Sequence, residues 1–229
     1  LLVILLTGLA VAAVRLHAAR RAESMASELG LAIWWRPATT VASAPWWPTH
    51  RLLACCRPFL SRASIHMATP PAAGPGGLRT ITDADWQRFA QLLGRGINVE
   101  SVSINGIFGS VRFSATTYES LAALPGVERV SLAFVPLGHR ELACLGTIRG
   151  LKSLELSSVT LPPEGLSHLT GLERLETLRL DGTSLVEEDL EALAALPRLR
   201  DLSLANTGLP EQALVELELA RPELLISDD

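Results

Sequence analysis

The residues that come nearest to a catalytic pair are His139 and Cys144, five apart, a spacing at which a helix could bring an imidazole to a thiol and activate it as a nucleophile. Two features count against that chemistry. Cys144 adjoins Leu145, which the periodicity described next assigns to the interior, and His139 falls in a turn. His50, His66 and His168 stand isolated, and the chain contains no GxGxxG, P-loop, GxSxG or HExxH pattern to cradle a phosphate or hold a catalytic zinc. Cys55 and Cys56 are adjacent and poorly placed to bond each other, and no CxxC or paired Cys/His spacing occurs, so neither a disulfide framework nor a metal site is expected. The expectation is a protein that is not an enzyme, with no catalytic residue, no cofactor, no metal and no small-molecule substrate.

What the chain can position is set by a 24-residue repeat. Stepping from Val127 gives VERVSLAFVPL, LKSLELSSVTL, LETLRLDGTSL and LRDLSLANTGL, starting at Val127, Leu151, Leu175 and Leu199. The tails align equally well. Leu142, Leu166, Leu190 and Leu214 form one column, Leu145, Leu169, Leu193 and Leu217 a second, and Ile148, Leu172, Leu196 and Ala220 a third. Seven such columns hold 28 positions, all apolar and 24 of them Leu, which 48% apolar content would produce by chance roughly once in 10⁹. LxL alternation buries both leucines on one face of a short strand, and the later spacing of 5, 3 and 3 fits a helix returning along the other side. One such unit cannot cover its own leucines; stacked units can, with a parallel strand ladder on the concave face and helices on the convex face.

The same alternation identifies the residues facing solvent from the strands. Arg129, Ser153, Thr177 and Asp201 form one row. Ser131, Glu155, Arg179 and Ser203 form the next, and Ala133, Ser157, Asp181 and Ala205 a third. The polar and charged members of these rows are the candidate protein-binding residues. Glu155 and Arg179 fall on adjacent strands, where an exposed ion pair is the simplest expectation. With two Arg and no aromatic side chain, the face lacks the anchors that dominate tight interfaces.

Upstream, VESVSINGI from Val99 carries the strand pattern in a repeat lengthened to about 28 residues near GSVRF. ITDADWQRFAQLL matches a convex half, with Trp86, Phe89 and Leu92 in the helix columns and Thr82 with Asp85 forming a capping box. SIHMA at Ser64 is the matching strand, joined to that helix through the Pro/Gly-rich loop 69–77. At the other end, Leu224 to Ile226 reads as a truncated strand, and Ser227, Asp228 and Asp229 as a polar stop that caps the stack.

These residues resemble the leucine-rich-repeat family, and Thr183, Leu185, Leu190, Leu193 and Leu196 match the TxLxxxxLxxLxxL form of its bacterial 24-residue class. The resemblance covers residues 99–226 and implies an α/β right-handed solenoid and protein binding. One position departs from it. Where the family usually has Asn or Cys, this chain has Val135, Val159, Thr183 and Thr207; Thr can make part of the hydrogen-bond ladder that Asn makes, and Val none. The early repeats are therefore expected to be looser along that edge, or satisfied there by water.

Leu1 to Val14 is an apolar run followed by Arg15, His17, Arg20 and Arg21. A basic cluster after the run suits a stop-transfer anchor, although fourteen residues fall short of the roughly 20 that cross a bilayer. Because the chain begins at Leu, the run is expected to continue upstream. AVAA at Ala10 to Ala13 leaves open a cleaved signal peptide. The expected organisation is an anchor with basic flank (1–21), a capping region (22–61) that includes a strand at Leu31 to Trp35 and a helix through 51–60 capped by Thr49, an irregular first repeat (62–98), and leucine-rich repeats (99–229). This order resembles small membrane-anchored bacterial repeat proteins. Trp46 and Trp47 would pack on the open end of the solenoid, with a seat at a bilayer surface as the alternative.

Charge divides the chain in the same way: residues 1–79 carry a net +6 and residues 80–229 a net −10. An acidic repeat domain repels a phosphate backbone, so nucleic acid is excluded as a partner. The functional expectation is a protein-binding or scaffold module presented at a membrane through residues 1–14, with the side of the membrane open and the protein partner unidentified. The alternatives are a secreted recognition module and a structural envelope protein.

Overall fold

The computed structural model describes residues 2–29, 32–37, 61–67, 82–94, 97–106 and 113–228. Eight strands form one sheet in chain order: β1 (Ala32–Pro37), β2 (Ser61–Met67), β3 (Val99–Asn105), β4 (Arg129–Ala133), β5 (Ser153–Ser157), β6 (Thr177–Arg179), β7 (Asp201–Ser203) and β8 (Leu225–Ser227). From β2 onward every neighbouring pair is parallel, and β1 lies antiparallel on β2. Each parallel connection carries a helical segment: α2 (Asp83–Leu93), α3 (Ala115–Ala122), α4 (His139–Gly146), a 3-10 turn (Gly165–Leu169), α5 (Asp189–Ala194) and α6 (Glu211–Ala220). This is a solenoid of leucine-rich-repeat type, with seven parallel strands on one face and helices on the other.

The leucine columns become stacks of interior residues. Val130, Leu154, Leu178 and Leu202 are register partners across four strands and are all buried, as are Leu132, Leu156, Leu180 and Leu204. Leu145, Leu169, Leu193 and Leu217 close the core from the helical side. In the long repeat, Tyr118, Leu121 and Leu124 take those helix positions. The columns fade toward the C-terminus, where Leu190 and Leu214 are half-buried and Ala220 is exposed.

The first repeat was legible in outline. Thr82 Oγ1 accepts the Asp85 N–H and Asp85 Oδ2 accepts the Thr82 N–H, the expected capping box. Trp86 and Phe89 are fully buried, and the indole N–H of Trp86 donates to the Thr117 carbonyl in the next repeat at 3.1 Å. The third interior position is Leu93, however, and Leu92 is half-buried. The reason is helix geometry. α2 is a continuous 11-residue α-helix, so its inner face follows 86, 89/90 and 93, whereas the short turns of later repeats bring every third residue inward.

The edge beside the strands carries a second period. Phe134, Ser158, Gly182 and Asn206 are spaced by 24 and all have positive φ, at 56°, 51°, 68° and 56°. Left-handed backbone suits Gly and is tolerated by Asn, but strains Phe and Ser. Immediately after it lies the position where the family places Asn. Thr183 Oγ1 donates to the Leu156 carbonyl at 2.9 Å and accepts the Val159 N–H at 3.3 Å, both in the preceding repeat. Thr207 Oγ1 donates within its own repeat, to Leu204. Val135 and Val159 are buried and contribute packing alone.

At the N-terminus α1 (Leu2–Leu29) runs unbroken through residues 21 and 22, and β1 follows where a strand was expected. Ala18, Ala19, Ala22 and Ala26 are buried, and their small side chains let α1 lie close against α2. No helix among the described residues is long and apolar enough to cross a membrane. The single-pass anchor expected over residues 1–21 thus finds no support; the basic half of the segment packs on the first repeat instead. At the C-terminus Ser227 and Asp228 are exposed, and so are Leu219 and Leu225, at 76% and 70%. The helix expected through 51–60, Trp46, Trp47, Cys55, Cys56 and the 69–77 loop lie outside the described residues.

Candidate functional site

The concave face is built by strand register. Ser101, Arg129, Ser153, Thr177, Asp201 and Leu225 face one another in sequence across β3 to β8. Ser103, Ser131, Glu155, Arg179, Ser203 and Ser227 form the parallel row beside them. Ser157 pairs with Ala133 at the ends of β5 and β4, and Asp181 follows β6, its carbonyl accepting the Ser158 N–H at 2.8 Å. The two complete rows expected from alternation are therefore real structural rows, extended to Leu225 and Ser227 at one end and through Ser101 and Ser103 to Ser64 and His66 of β2 at the other. In the third row Ala205 is buried, so that row does not reach solvent along its whole length.

Side-chain pairing on this face differs from expectation. Glu155 and Arg179 are register partners, yet among the described residues no ion pair joins them. Glu155 Oε1 instead accepts from the Ser157 hydroxyl at 3.3 Å. Arg129 forms an ion pair with Glu100, whose side chain is only 11% exposed. Strand alternation turns Glu100 inward, and it is buried as the second residue of β3, where Arg129 reaches it. Ser203 donates to Asp181 Oδ1 at 2.5 Å. Arg179 is left exposed with no ion pair among the described residues. It stands in a shallow groove of about 460 Å³ whose other polar lining is Thr177, Asp201, Ser203 and Ser227.

A second concavity of about 510 Å³ lies on the side of the solenoid, between the loops at Pro136–Gly138 and Thr160–Pro162, with Tyr118 and Glu141 in its wall. Burial, then the Glu141 carboxylate, pushes the Tyr118 phenol well above its usual range, so it stays neutral. Glu141 Oε2 accepts the Gly138 N–H at 3.1 Å and caps the start of α4.

The histidine and cysteine that invited a catalytic reading do not meet. Burial, followed by the charges of Glu119 and Glu141, raises the Cys144 thiol above its ordinary value, the reverse of what a nucleophile needs. His139 turns to His168, with 3.3 Å between His139 Nδ1 and His168 Nε2. Separation by 29 residues, one repeat plus five, hid this pair from column alignment, which matches His139 with Pro163. Arg221 was equally hidden. Its guanidinium donates to the carbonyls of Ala194, Leu196 and Leu199 and pairs with Glu223, tying the last repeat to the end of α5. Among the described residues, no group of three or more His, Cys, Asp or Glu is arranged to hold a metal.

No protein-family model matches the chain, and no curated protein matches it in sequence. Solved structures with some likeness include the tropomodulin C-terminal domain of Caenorhabditis elegans, 21% identical with a TM-score of 0.47 over 61% of this chain and 92% of that one. Another is an internalin from Listeria monocytogenes, 14% identical with a TM-score of 0.36 over 68% of this chain and 55% of that one. Likeness at this level carries nothing about activity or partner, and the leucine-rich-repeat architecture stands on the chain's own 24-residue period and the parallel register of its strands.

Proposed function

We propose that this protein is a non-catalytic binding module that engages another protein through the concave sheet face, with Arg179 at the centre of the contact. The observation that supports this reading is the uncommitted guanidinium. Arg179 faces Glu155 in register without pairing with it, while Arg129 is paired with Glu100 and Asp181 holds Ser203. An exposed Arg over a polar groove is able to take a carboxylate in bidentate fashion, and needs only to give up water to do so. Ser131, Ser153, Glu155, Ser157, Thr177, Asp201 and Ser203 supply the surrounding hydrogen-bonding surface. The bacterial 24-residue class remains part of this reading on sequence grounds, through Thr183 and the leucines that follow it.

Photocrosslinking tests the proposal. A photoreactive residue at Ser157 or Thr177 captures a discrete partner in cells, one at the exposed Glu191 of α5 on the helical side does not, and Arg179→Glu abolishes capture from Ser157 with the circular dichroism spectrum unchanged. Equal capture from both faces, or capture that survives Arg179→Glu, refutes it.

A further inference from the structure

Two histidines from consecutive repeats meet on the helical side of the solenoid, away from the concave face. His139 is the first residue of α4 and His168 lies in the 3-10 turn Gly165–Leu169. His139 Nδ1 and His168 Nε2 are 3.3 Å apart, and the rings stand edge to face with centroids 5.5 Å apart and planes at 79°. His139 is exposed and His168 half-buried, so water and small ions reach both.

We infer that this pair is a two-imidazole chelating site for a divalent transition cation of the kind imidazole favours: zinc, nickel or copper. The spacing carries the argument. Zinc–imidazole bonds of about 2.0–2.1 Å at a tetrahedral angle place two ligand nitrogens about 3.3–3.4 Å apart. The two nitrogens already sit at that bite distance, and coordination requires only that the rings turn until both lone pairs aim at one point. Coordination through these two atoms places the ring hydrogens on His139 Nε2 and His168 Nδ1.

The backbone beneath the pair is closely packed. A Cβ on Gly146 would lie 2.1 Å from the His168 carbonyl oxygen, which shows how tightly α4 and the following turn are pressed together. Glu141 holds the first turn of α4 through the Gly138 N–H. The chelate therefore forms without ordering a loop, and its cost is confined to two side chains. No third His, Cys, Asp or Glu among the described residues completes a closed set, so water takes the remaining positions.

Isothermal titration of the full chain with zinc chloride, alongside His139→Gln and His168→Gln, tests the site. The expected result is one zinc per chain, with affinity at least tenfold weaker in each single variant and no weaker again in the double. Retention of the parental affinity in both single variants overturns the proposal. Electron paramagnetic resonance of the unmodified protein with one equivalent of copper provides a reading that does not depend on how the variants fold. Hyperfine structure from two imidazole nitrogens supports the site; structure from one nitrogen or none refutes it.

Discussion

Replacing Thr183 with Val isolates an inter-repeat bridge that a side chain makes along the strand edge. Thr183 is fully buried, and its hydroxyl serves two backbone groups of the preceding repeat, donating to Leu156 at 2.9 Å and accepting from Val159 at 3.3 Å. Val keeps the β-branched shape and opens no cavity. It also gains a buried methyl, worth about 0.8 kcal/mol. Against that stand one lost hydrogen bond, about 0.5–1.5 kcal/mol, and a buried N–H left without its acceptor, about 1–3 kcal/mol. Thr207→Val is the internal control. Thr207 is 5% exposed and donates to Leu204, but among the described residues it accepts nothing from the repeat before it, where the Thr183 N–H already bonds the Leu180 carbonyl. The methyl gain and the lost donor are common to both variants. Their difference is therefore the unsatisfied Val159 N–H: Thr183→Val should be the less stable by about 1–3 kcal/mol.

Urea unfolding followed by far-UV circular dichroism and by intrinsic fluorescence measures that difference, provided the two probes coincide. Amide exchange places it: the Val159 amide should lose protection in Thr183→Val and keep it in Thr207→Val. Equal stability of the two variants to within about 0.5 kcal/mol would refute the reasoning, since only the orphaned amide distinguishes them. The converse change, Val159→Thr, puts a hydroxyl where it can bridge to Val135 and Leu132 one repeat earlier. It should stabilise by about 1 kcal/mol, if the same geometry recurs every 24 residues.

Three further substitutions test other features. Ser158 sits at φ 51° in the column where Gly182 sits at 68°, so Ser158→Gly should raise stability by about 0.5–1 kcal/mol as relieved strain exceeds the added chain entropy. Gly182→Ala should do the reverse, since its Cβ would meet the Ser158 hydroxyl at 2.8 Å; melting temperatures check both. Asp83 accepts the Thr117 hydroxyl at 2.6 Å and the Ser114 N–H at 3.1 Å. Burial raises its carboxyl, but these bonds outweigh burial and hold it below the ordinary value. Its contribution is present above the unfolded value of about 3.9 and lost as pH falls through the lowered one, so Asp83→Asn should destabilise at pH 7 and flatten the acid limb of the stability curve.

The stacked interior was readable because a 24-residue period converts sequence distance into spatial adjacency: residues one period apart, such as Leu154 and Leu178, become register partners. The same rule located the concave rows residue by residue. It failed where the local helix changed, at Leu92 and Leu93 and at Ala220, because columns presume that every repeat turns alike. The strain at Phe134 and Ser158 was invisible for another reason. A left-handed column is announced by Gly or Asn, and only Gly182 and Asn206 provide the signal.

Side-chain pairing on the concave face obeyed neither column nor register, and this bears directly on function. Register brings Glu155 opposite Arg179, and exposed cross-strand pairs of that kind are worth about 0–1 kcal/mol, little enough for local geometry to decide. Ser157, two residues along the same strand, takes Glu155, while Arg129 finds a carboxylate 11% exposed at Glu100. Shielding of Glu100 from water strengthens the second pair and engages the Arg129 guanidinium, although its side chain stays part-exposed. Neutralising Glu100 would release Arg129 and give the face a second free guanidinium, so Glu100→Gln should strengthen capture of a partner that Arg179 recognises through a carboxylate. If capture is unchanged while Arg179→Glu still abolishes it, the contact is confined to the C-terminal half of the face, around the groove of Thr177, Asp201 and Ser203.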